Sequence, residues 1–215
     1  MARSMSDDEV RQEHIRLMGP ALGEVFHALY GQMNWLSYEW SEYCVLFRGE
    51  ADVLPLLNRA AGGFFRIVQD SLWNQVLLRL YRLTEYLESG AKKARLTIQR
   101  LPPLFRPGDP TKAAELAELE RLVAAAVVAC RFAHDRRHKR LAHSSLDEML
   151  GRKARPTPVG TMEQVDAAFA AIAAVLNYVA AEYGDGHTMY ADIVVAPTGA
   201  EALVWHLRAC ERRSP

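Results

Sequence analysis

Cysteine is scarce in this sequence, and the few cysteines present have no metal-binding pattern. The 215 residues include only Cys44, Cys130 and Cys210, which lie far apart and are odd in number. That spacing excludes a disulfide framework and a zinc ribbon. The sequence also lacks a glycine-rich phosphate loop, a zinc-protease helix and a serine nucleophile turn. We therefore expect neither a bound metal nor a cofactor.

Net charge is missing as well. Lysine and arginine together number 26, as do aspartate and glutamate, so the formal net charge is zero at pH 7. A neutral chain is not a general binder of polyanions. Any contact with nucleic acid must therefore depend on a local cluster of cations.

Long apolar runs are also absent. The alanine-rich residues 123–130 fall short of the about 18 apolar residues that a transmembrane helix needs. The first ten residues are polar and acidic, and they lack the apolar core of a signal peptide. Together with the sparse cysteines, these features predict a soluble cytoplasmic protein that does not contact a membrane.

Apolar residues at helical spacing are abundant. Half of the residues are hydrophobic, which is enough for a sizeable core. Apolar stripes with spacings of three and four recur through residues 31–47, 53–87, 111–140 and 162–183. The predicted fold is all-α and forms a single domain, residues 1–215. A bundle of about five main helices occupies about residues 30–183, and residues 184–215 form a small C-terminal extension.

Local signals predict where the helices begin, bend and end. Gly19-Pro20 should kink or break the first helical segment, and Gly62-Gly63 should mark either a bend or a close helix contact in the long one. Thr111 and Thr161 are expected to be helix N-caps. The helix that begins near Thr111 is expected to continue beyond Arg140. The tryptophans fall mostly in apolar patterns, which predicts core or interface positions for Trp35, Trp40, Trp73 and Trp205.

The most unusual window is residues 131–143, which read RFAHDRRHKRLAH. It holds three of the chain's seven histidines, and Asp135 is its only acid. Arginine binds phosphate through a fork of two N–H groups, and histidine can move a proton near neutral pH. Phosphodiester cleavage without a metal needs one group that binds the phosphate and another that transfers a proton. The basic residues of the window are Arg131, Arg136, Arg137, Lys139 and Arg140.

Other interpretations of this window stay open. Basic residues near a helix C-terminus complement its dipole, and a charged helix face is often only solvated. At 100° per residue, Arg137 and His143 lie about 120° apart on a continuous helix, so a straight helix would not point both at one phosphate. Either the helix ends near Ala142, or the two side chains meet across a dimer. Arg136 lies within about 20° of His143 and is a candidate second phosphate ligand.

Two further features have both a functional and a structural interpretation. Asp185 and His187 flank a glycine, but two ligands without a third do not make a metal site, and a loop that ends a helix explains them. Residues 91–106 contain no acid, so this loop either follows an RNA backbone or is simply a soluble surface. Its cations are Lys92, Lys93, Arg95, Arg100 and Arg106.

Residues 137–143 resemble the signature of the HEPN superfamily, which is an arginine, a polar residue, a short spacer and a histidine. The branch that they resemble most is the AbiU-like abortive-infection group, whose motif reads Arg-Asn-Lys, two residues, Ala-His. His138 stands where that group usually has asparagine, a change that the superfamily tolerates. A second block, residues 56–65 and 80–85, resembles the helix that precedes the motif, with Glu85 where the group usually has aspartate. The resemblance covers about residues 30–180.

The resemblance implies a helical bundle, a homodimer and an RNase site shared across the dimer axis. On this chain it implies three catalytic residues: Arg137 to bind the scissile phosphate, His143 as general base or acid, and His138 to orient the phosphate or His143. Arg136, Lys139 and Arg140 would bind RNA phosphates. An antitoxin protein would be a further partner. The alternatives are a non-catalytic HEPN module that binds RNA, a nucleotide or a protein through this patch, and a helical scaffold without a ligand.

Overall fold

The computed structural model confirms the all-α fold. It describes residues 5–87, 95–105, 110–136, 160–186, 188, 190 and 199–212, and no β-strand occurs in these ranges. The main helices are α1 (Asp7–Met18), α2 (Pro20–Phe47), α3 (Val53–Thr84), α5 (Ala113–Ala129), α7 (Met162–Glu182) and α8 (Ala200–Glu211). Two short α-helices lie between them, α4 (Leu101–Leu104) and α6 (Arg131–Arg136). Single 3-10 turns, Ile98–Arg100 and Pro110–Lys112, precede α4 and α5.

Capping residues explain the first helical boundaries. Ser6 and Glu9 form a capping box at the start of α1, in which each side chain binds the other residue's backbone N–H. Gly19 has a φ of 78°, and Pro20 opens α2, so the predicted break between the two helices is confirmed. A Cβ atom on Gly23 would lie 2.6 Å from the backbone oxygen of His14, so glycine permits the close approach of α1 and α2.

The predictions for the other helices are confirmed in some places and wrong in others. The long helix is interrupted at Ala61, next to the predicted bend. Thr161 caps α7 in a capping box with Gln164, as predicted. Thr111 is not an N-cap, because it lies within the 3-10 turn Pro110–Lys112 that precedes α5. The expected continuous helix through this region is also wrong, because Cys130, with ψ near 2°, ends α5 before α6 begins.

The contacts group the chain into two compact units. One unit contains residues 1–33 and 77–188, and the other contains residues 34–76 and 189–215. In the first unit α5 packs along α7, whose predicted apolar stripe ends at the half-buried Tyr183 and is buried at its other positions. Those positions are Val165, Ile172, Leu176 and Val179, together with the nearly buried Phe169.

Helix α7 is the one described helix that is long and apolar enough to cross a membrane. Its most apolar window has a mean hydropathy of 1.5, and half of that window is buried inside the protein. A core helix of a folded protein satisfies the same criteria of length and composition. The burial of its inward stripe explains its apolar composition.

The second unit packs α8 against parts of α2 and α3. Leu46, Leu57, Phe65, Ala200 and Val204 belong to its buried apolar cluster. Glu42 accepts the backbone N–H of Ala200 at 2.6 Å and so satisfies one of the open donors at the start of α8.

The tryptophans divide between the core and the surface. Trp40 and Trp73 are buried around Tyr43, as predicted for core residues. Trp35 and Trp205 are 57% and 61% exposed, so they are not core residues, and the interface position that was also predicted for them stays a prediction. Sequence spacing cannot distinguish the sides of a helix when both carry large apolar residues.

Candidate functional site

The carbonyl groups at the C-terminal end of α3 bind side chains of the segment that leads into α4. The Thr97 hydroxyl, itself fully buried, donates to the Leu83 carbonyl at 3.0 Å. The Gln99 side-chain nitrogen donates to the carbonyls of Thr84 and Glu85 at 3.2 and 3.1 Å. A helix end leaves its last carbonyls without partners in the helix. Residues 97–99 therefore satisfy this end of α3 and hold it in place.

His134 of α6 binds directly to the same end of α3. Its Nε2 atom lies 3.0 Å from the hydroxyl oxygen of Thr84, which is completely buried and also donates to the Leu80 carbonyl. The imidazole meets the Tyr81 ring edge-on, with centroids 4.7 Å apart, and the Tyr86 ring at 5.8 Å. Two aromatic rings and one hydroxyl thus define the position of His134, which lies three residues before Arg137.

Glu85 connects the end of α3 to the described part of the basic loop. Its carboxylate accepts the Tyr81 hydroxyl and, at 2.5 Å, a guanidinium N–H of Arg95. Arg100 in turn donates to the backbone carbonyl of Arg95. These two arginines therefore bind acceptors of the protein itself, which supports a structural role for this part of the loop. The loop's other cations, Lys92, Lys93 and Arg106, lie outside the described residues.

Cys130 and Arg136 are the buried residues at the two ends of α6. Cys130 is fully buried, and burial raises the pKa of its thiol to about 12, although a hydrogen bond to Thr84 acts in the opposite direction. A thiol with that pKa is not a nucleophile at neutral pH. The side chain of Arg136 is also largely inside the protein, with 7% of the residue exposed.

Most of the residues predicted for the site lie outside the described ranges. They are the catalytic residues Arg137, His138 and His143 and the phosphate-binding residues Lys139 and Arg140. Among the predicted set, the structure describes Arg136 at the C-terminal end of α6. The described part of the window is therefore the helix that precedes the motif.

A cluster that sequence reasoning missed lies elsewhere in the first unit. His14 of α1 is buried, and its Nδ1 lies 3.3 Å from Nδ1 of His27 in α2. Its Nε2 lies 3.2 Å from a carboxylate oxygen of Asp185. Burial lowers the pKa of His14 and raises that of Asp185, and each partner opposes the other's shift. No sequence signal pairs these residues, because they come from α1, α2 and the loop after α7.

The loop after α7 has the structural role considered for it. Gly184 and Gly186 have φ values of 75° and 82°, which end the helix around Asp185. His187 lies outside the described residues. Within the described ranges no group of three His, Cys, Asp or Glu side chains is close enough together to hold a metal ion.

An open groove lies beside the His134 cluster. Its volume is about 490 Å³, and its walls come from Tyr86, the segment before and within α4, and one face of α5. The lining residues are Tyr86, Gln99, Pro102, Pro103, Glu120, Val123, Ala124, Val127 and Val128. Tyr86, which contacts the imidazole of His134, therefore belongs to both the cluster and the groove.

Comparison with known proteins identifies a family for this chain. A family model described as AbiU2, of the HEPN type, matches residues 19–195. This range contains α2 to α7, the His134 cluster and the whole of the basic window. No curated protein and no solved structure matches the chain.

Proposed function

The chain belongs to the AbiU2 family of abortive-infection HEPN modules, and we propose that it is a metal-independent endoribonuclease. The observation that carries this proposal is the extent of the family match. It includes both the anchored α3–α6 cluster and the residues of the Arg-His motif, 137–143. The proposed setting is a phage-defence or toxin–antitoxin system in the cytoplasm.

The proposed reaction uses the substrate's own 2′-hydroxyl as nucleophile. His143, as a neutral imidazole, takes the 2′-hydroxyl proton while the oxygen attacks the adjacent phosphorus. The bond from phosphorus to the 5′-oxygen breaks, and an imidazolium returns a proton to that leaving oxygen. The products are a 2′,3′-cyclic phosphate and a 5′-hydroxyl. Arg137 stabilises the negative charge that develops on the phosphate, and His138 orients the phosphate or His143.

The described structure supports the proposal through the placement of α6. A catalytic side chain needs a rigid support, since small misplacements are costly in rate. His134 holds α6 to the end of α3 through Thr84 and Tyr81, and Arg137 is the next residue in the sequence after α6. The chain therefore enters the motif from a fixed point.

The proposed assembly is a homodimer in which the two motifs face each other. In this arrangement the His143 imidazoles of the two subunits each serve one of the two proton transfers. An antitoxin protein that covers the motif is the proposed regulatory partner.

The test is cleavage of mixed single-stranded RNA in EDTA by protein produced without its neighbouring genes. We expect cleavage that leaves cyclic phosphate ends, and a loss of at least about a hundredfold in Arg137→Ala and in His143→Ala. Arg66→Ala and His206→Ala change exposed residues of the same types in the second unit and should cleave like the unchanged protein. Binding of RNA by the folded dimer without any cleavage would contradict the proposal and indicate a non-catalytic module.

A further inference from the structure

We propose that the groove beside His134 holds one unpaired base of the RNA, and that guanine is the base it accepts best. This inference rests on the proposed function, since it identifies part of the substrate. The groove, with its volume of about 490 Å³, lies in the size range of small-ligand sites. Three features of its lining identify the ligand: an apolar floor, an aromatic wall and a rim that offers hydrogen-bond acceptors.

The floor of the groove is an apolar surface on α5 and α4. Val123 is buried, whereas Val128 is 62% exposed, so the face of α5 runs from the core out into the groove. Pro102 and Pro103 form the apolar surface on the α4 side. An exposed apolar face of this kind suits a flat ring, because covering it removes apolar area from water.

Tyr86 supplies the aromatic wall. Its side chain is 60% exposed, although its ring contacts the His134 imidazole at 5.8 Å. The protein therefore contacts this ring through His134 while most of the Tyr86 residue remains accessible. Proteins that bind single-stranded RNA commonly stack unpaired bases on such aromatic side chains.

The rim of the groove determines which ligand fits. The Gln99 side-chain nitrogen already donates to two backbone carbonyls, so the group that Gln99 can offer a ligand is its oxygen. Glu120 contributes a carboxylate, which only accepts hydrogen bonds. Among the described lining residues there is no cation to bind a phosphate. The groove therefore suits a base that donates hydrogen bonds.

Guanine meets these requirements best. Its Watson–Crick edge carries two adjacent donors, N1–H and the N2 amino group, which match the two oxygens of one carboxylate. Uracil presents a single N–H between two carbonyl oxygens, and those oxygens would face the Glu120 carboxylate unfavourably. Adenine and cytosine each offer one amino group as a donor, so we expect their affinities to lie between those of guanine and uracil.

The groove also has a suitable position in the chain. Tyr86 and Thr84 both contact His134, and His134 lies three residues before Arg137. A base held against Tyr86 therefore belongs to a nucleotide close to the scissile phosphate rather than to a remote part of the RNA. This places a sequence preference next to the proposed site of cleavage.

The test measures binding of short single-stranded RNAs whose 2′-hydroxyls are methylated, so that cleavage cannot occur. We expect the full-length protein to bind guanine-containing RNA about tenfold more tightly than otherwise identical uracil-containing RNA. Tyr86→Ala should weaken binding of both RNAs about tenfold, and Tyr86→Phe, which keeps the ring, should not. Glu120→Gln should remove the preference for guanine, because it weakens guanine binding and relieves the repulsion between the carboxylate and the oxygens of uracil. Glu201→Gln is the matched control on α8.

The outcomes separate this proposal from the nuclease proposal. Cleavage that depends on Arg137, together with unchanged RNA binding in the Tyr86 and Glu120 variants, would overturn the groove assignment and leave the nuclease standing. Guanine binding that depends on Tyr86 and Glu120, without cleavage of ordinary RNA, would support the groove and overturn the nuclease. If the Tyr86→Ala protein keeps its RNA affinity but loses an antitoxin partner, the groove is a protein-binding site and the proposal is wrong.

Discussion

The hydroxyl oxygen of Thr84 lies 3.0 Å from Nε2 of His134, and this contact joins the end of α3 to α6. Because the Thr84 hydroxyl donates to the Leu80 carbonyl at 2.8 Å, we predict that its oxygen accepts a hydrogen bond from His134. The predicted tautomer of His134 is the one that carries a proton on Nε2. One buried threonine thereby contacts the helix that precedes the motif and favours one tautomer of His134.

This relationship predicts different effects for two substitutions of Thr84. Thr84→Val keeps the shape but removes the acceptor, so a partly buried imidazole N–H loses its partner. We expect a decrease of about 1–2 kcal/mol in the free energy of unfolding, measured in urea. The nitrogen spectrum of the His134 imidazole should shift in the valine variant. Thr84→Ser retains the hydroxyl and should preserve the spectrum. A valine variant with an unchanged His134 spectrum would show that the contact is unimportant.

The second prediction concerns Arg131 and Arg136. They are the first and last residues of α6 and differ greatly in exposure. Arg136 is 7% exposed, whereas Arg131 lies on the surface. Replacing Arg136 with alanine removes a buried stem and charge, and we expect a loss of about 2–4 kcal/mol in the free energy of unfolding. Arg131→Ala should change it by no more than about 0.5 kcal/mol. The measurement is urea denaturation of both variants.

RNA affinity of the same two variants tests the phosphate-binding role predicted for Arg136. Its burial favours a structural role. In that case the Arg136→Ala protein should lose RNA affinity only to the extent that it unfolds. An Arg136→Ala protein that keeps full stability but binds RNA more weakly would instead identify a phosphate ligand. Binding at two salt concentrations makes the distinction, since loss of a phosphate contact reduces the salt dependence.

The His14–Asp185 pair predicts how stability depends on pH. Burial lowers the pKa of His14 below 6.5, so the unfolded chain binds more protons than the folded protein as the pH falls through 6.5. The free energy of unfolding should therefore be lower in acid than above pH 6.5. Burial raises the pKa of Asp185 from 3.8, which acts in the opposite sense at lower pH. The measurement is the free energy of unfolding at about pH 8 and about pH 5.5.

Two variants identify the groups responsible for this pH dependence. His14→Gln cannot be protonated in this range and should reduce the difference between the two pH values. Asp185→Asn removes the neighbour that favours the charged imidazole, so it should enlarge the difference. His27, whose Nδ1 faces that of His14, remains in both variants. An acid loss of stability that persists unchanged in His14→Gln would assign it to another group.

Helix positions could be predicted well from the sequence because their signals are local. The Gly19-Pro20 break, the Thr161 cap and the buried stripe of α7 depend on neighbouring residues and a period of 3.6. The errors have local causes too. A 3-10 turn displaced the expected cap at Thr111, and the change of backbone angle at Cys130 ended a helix that the apolar pattern continued.

By itself, the sequence determined the helical architecture, the family and the identity of the basic window. The period of the apolar residues and the short motif are both properties of residues that lie close together in the chain. Only the tertiary structure decided the partners of individual side chains. It placed Thr84 against His134, Asp185 against His14, and Tyr86 beside the face of α5. Those pairs join residues far apart in the chain. Their contacts depend on how whole helices pack, and no local pattern of residue types encodes that packing.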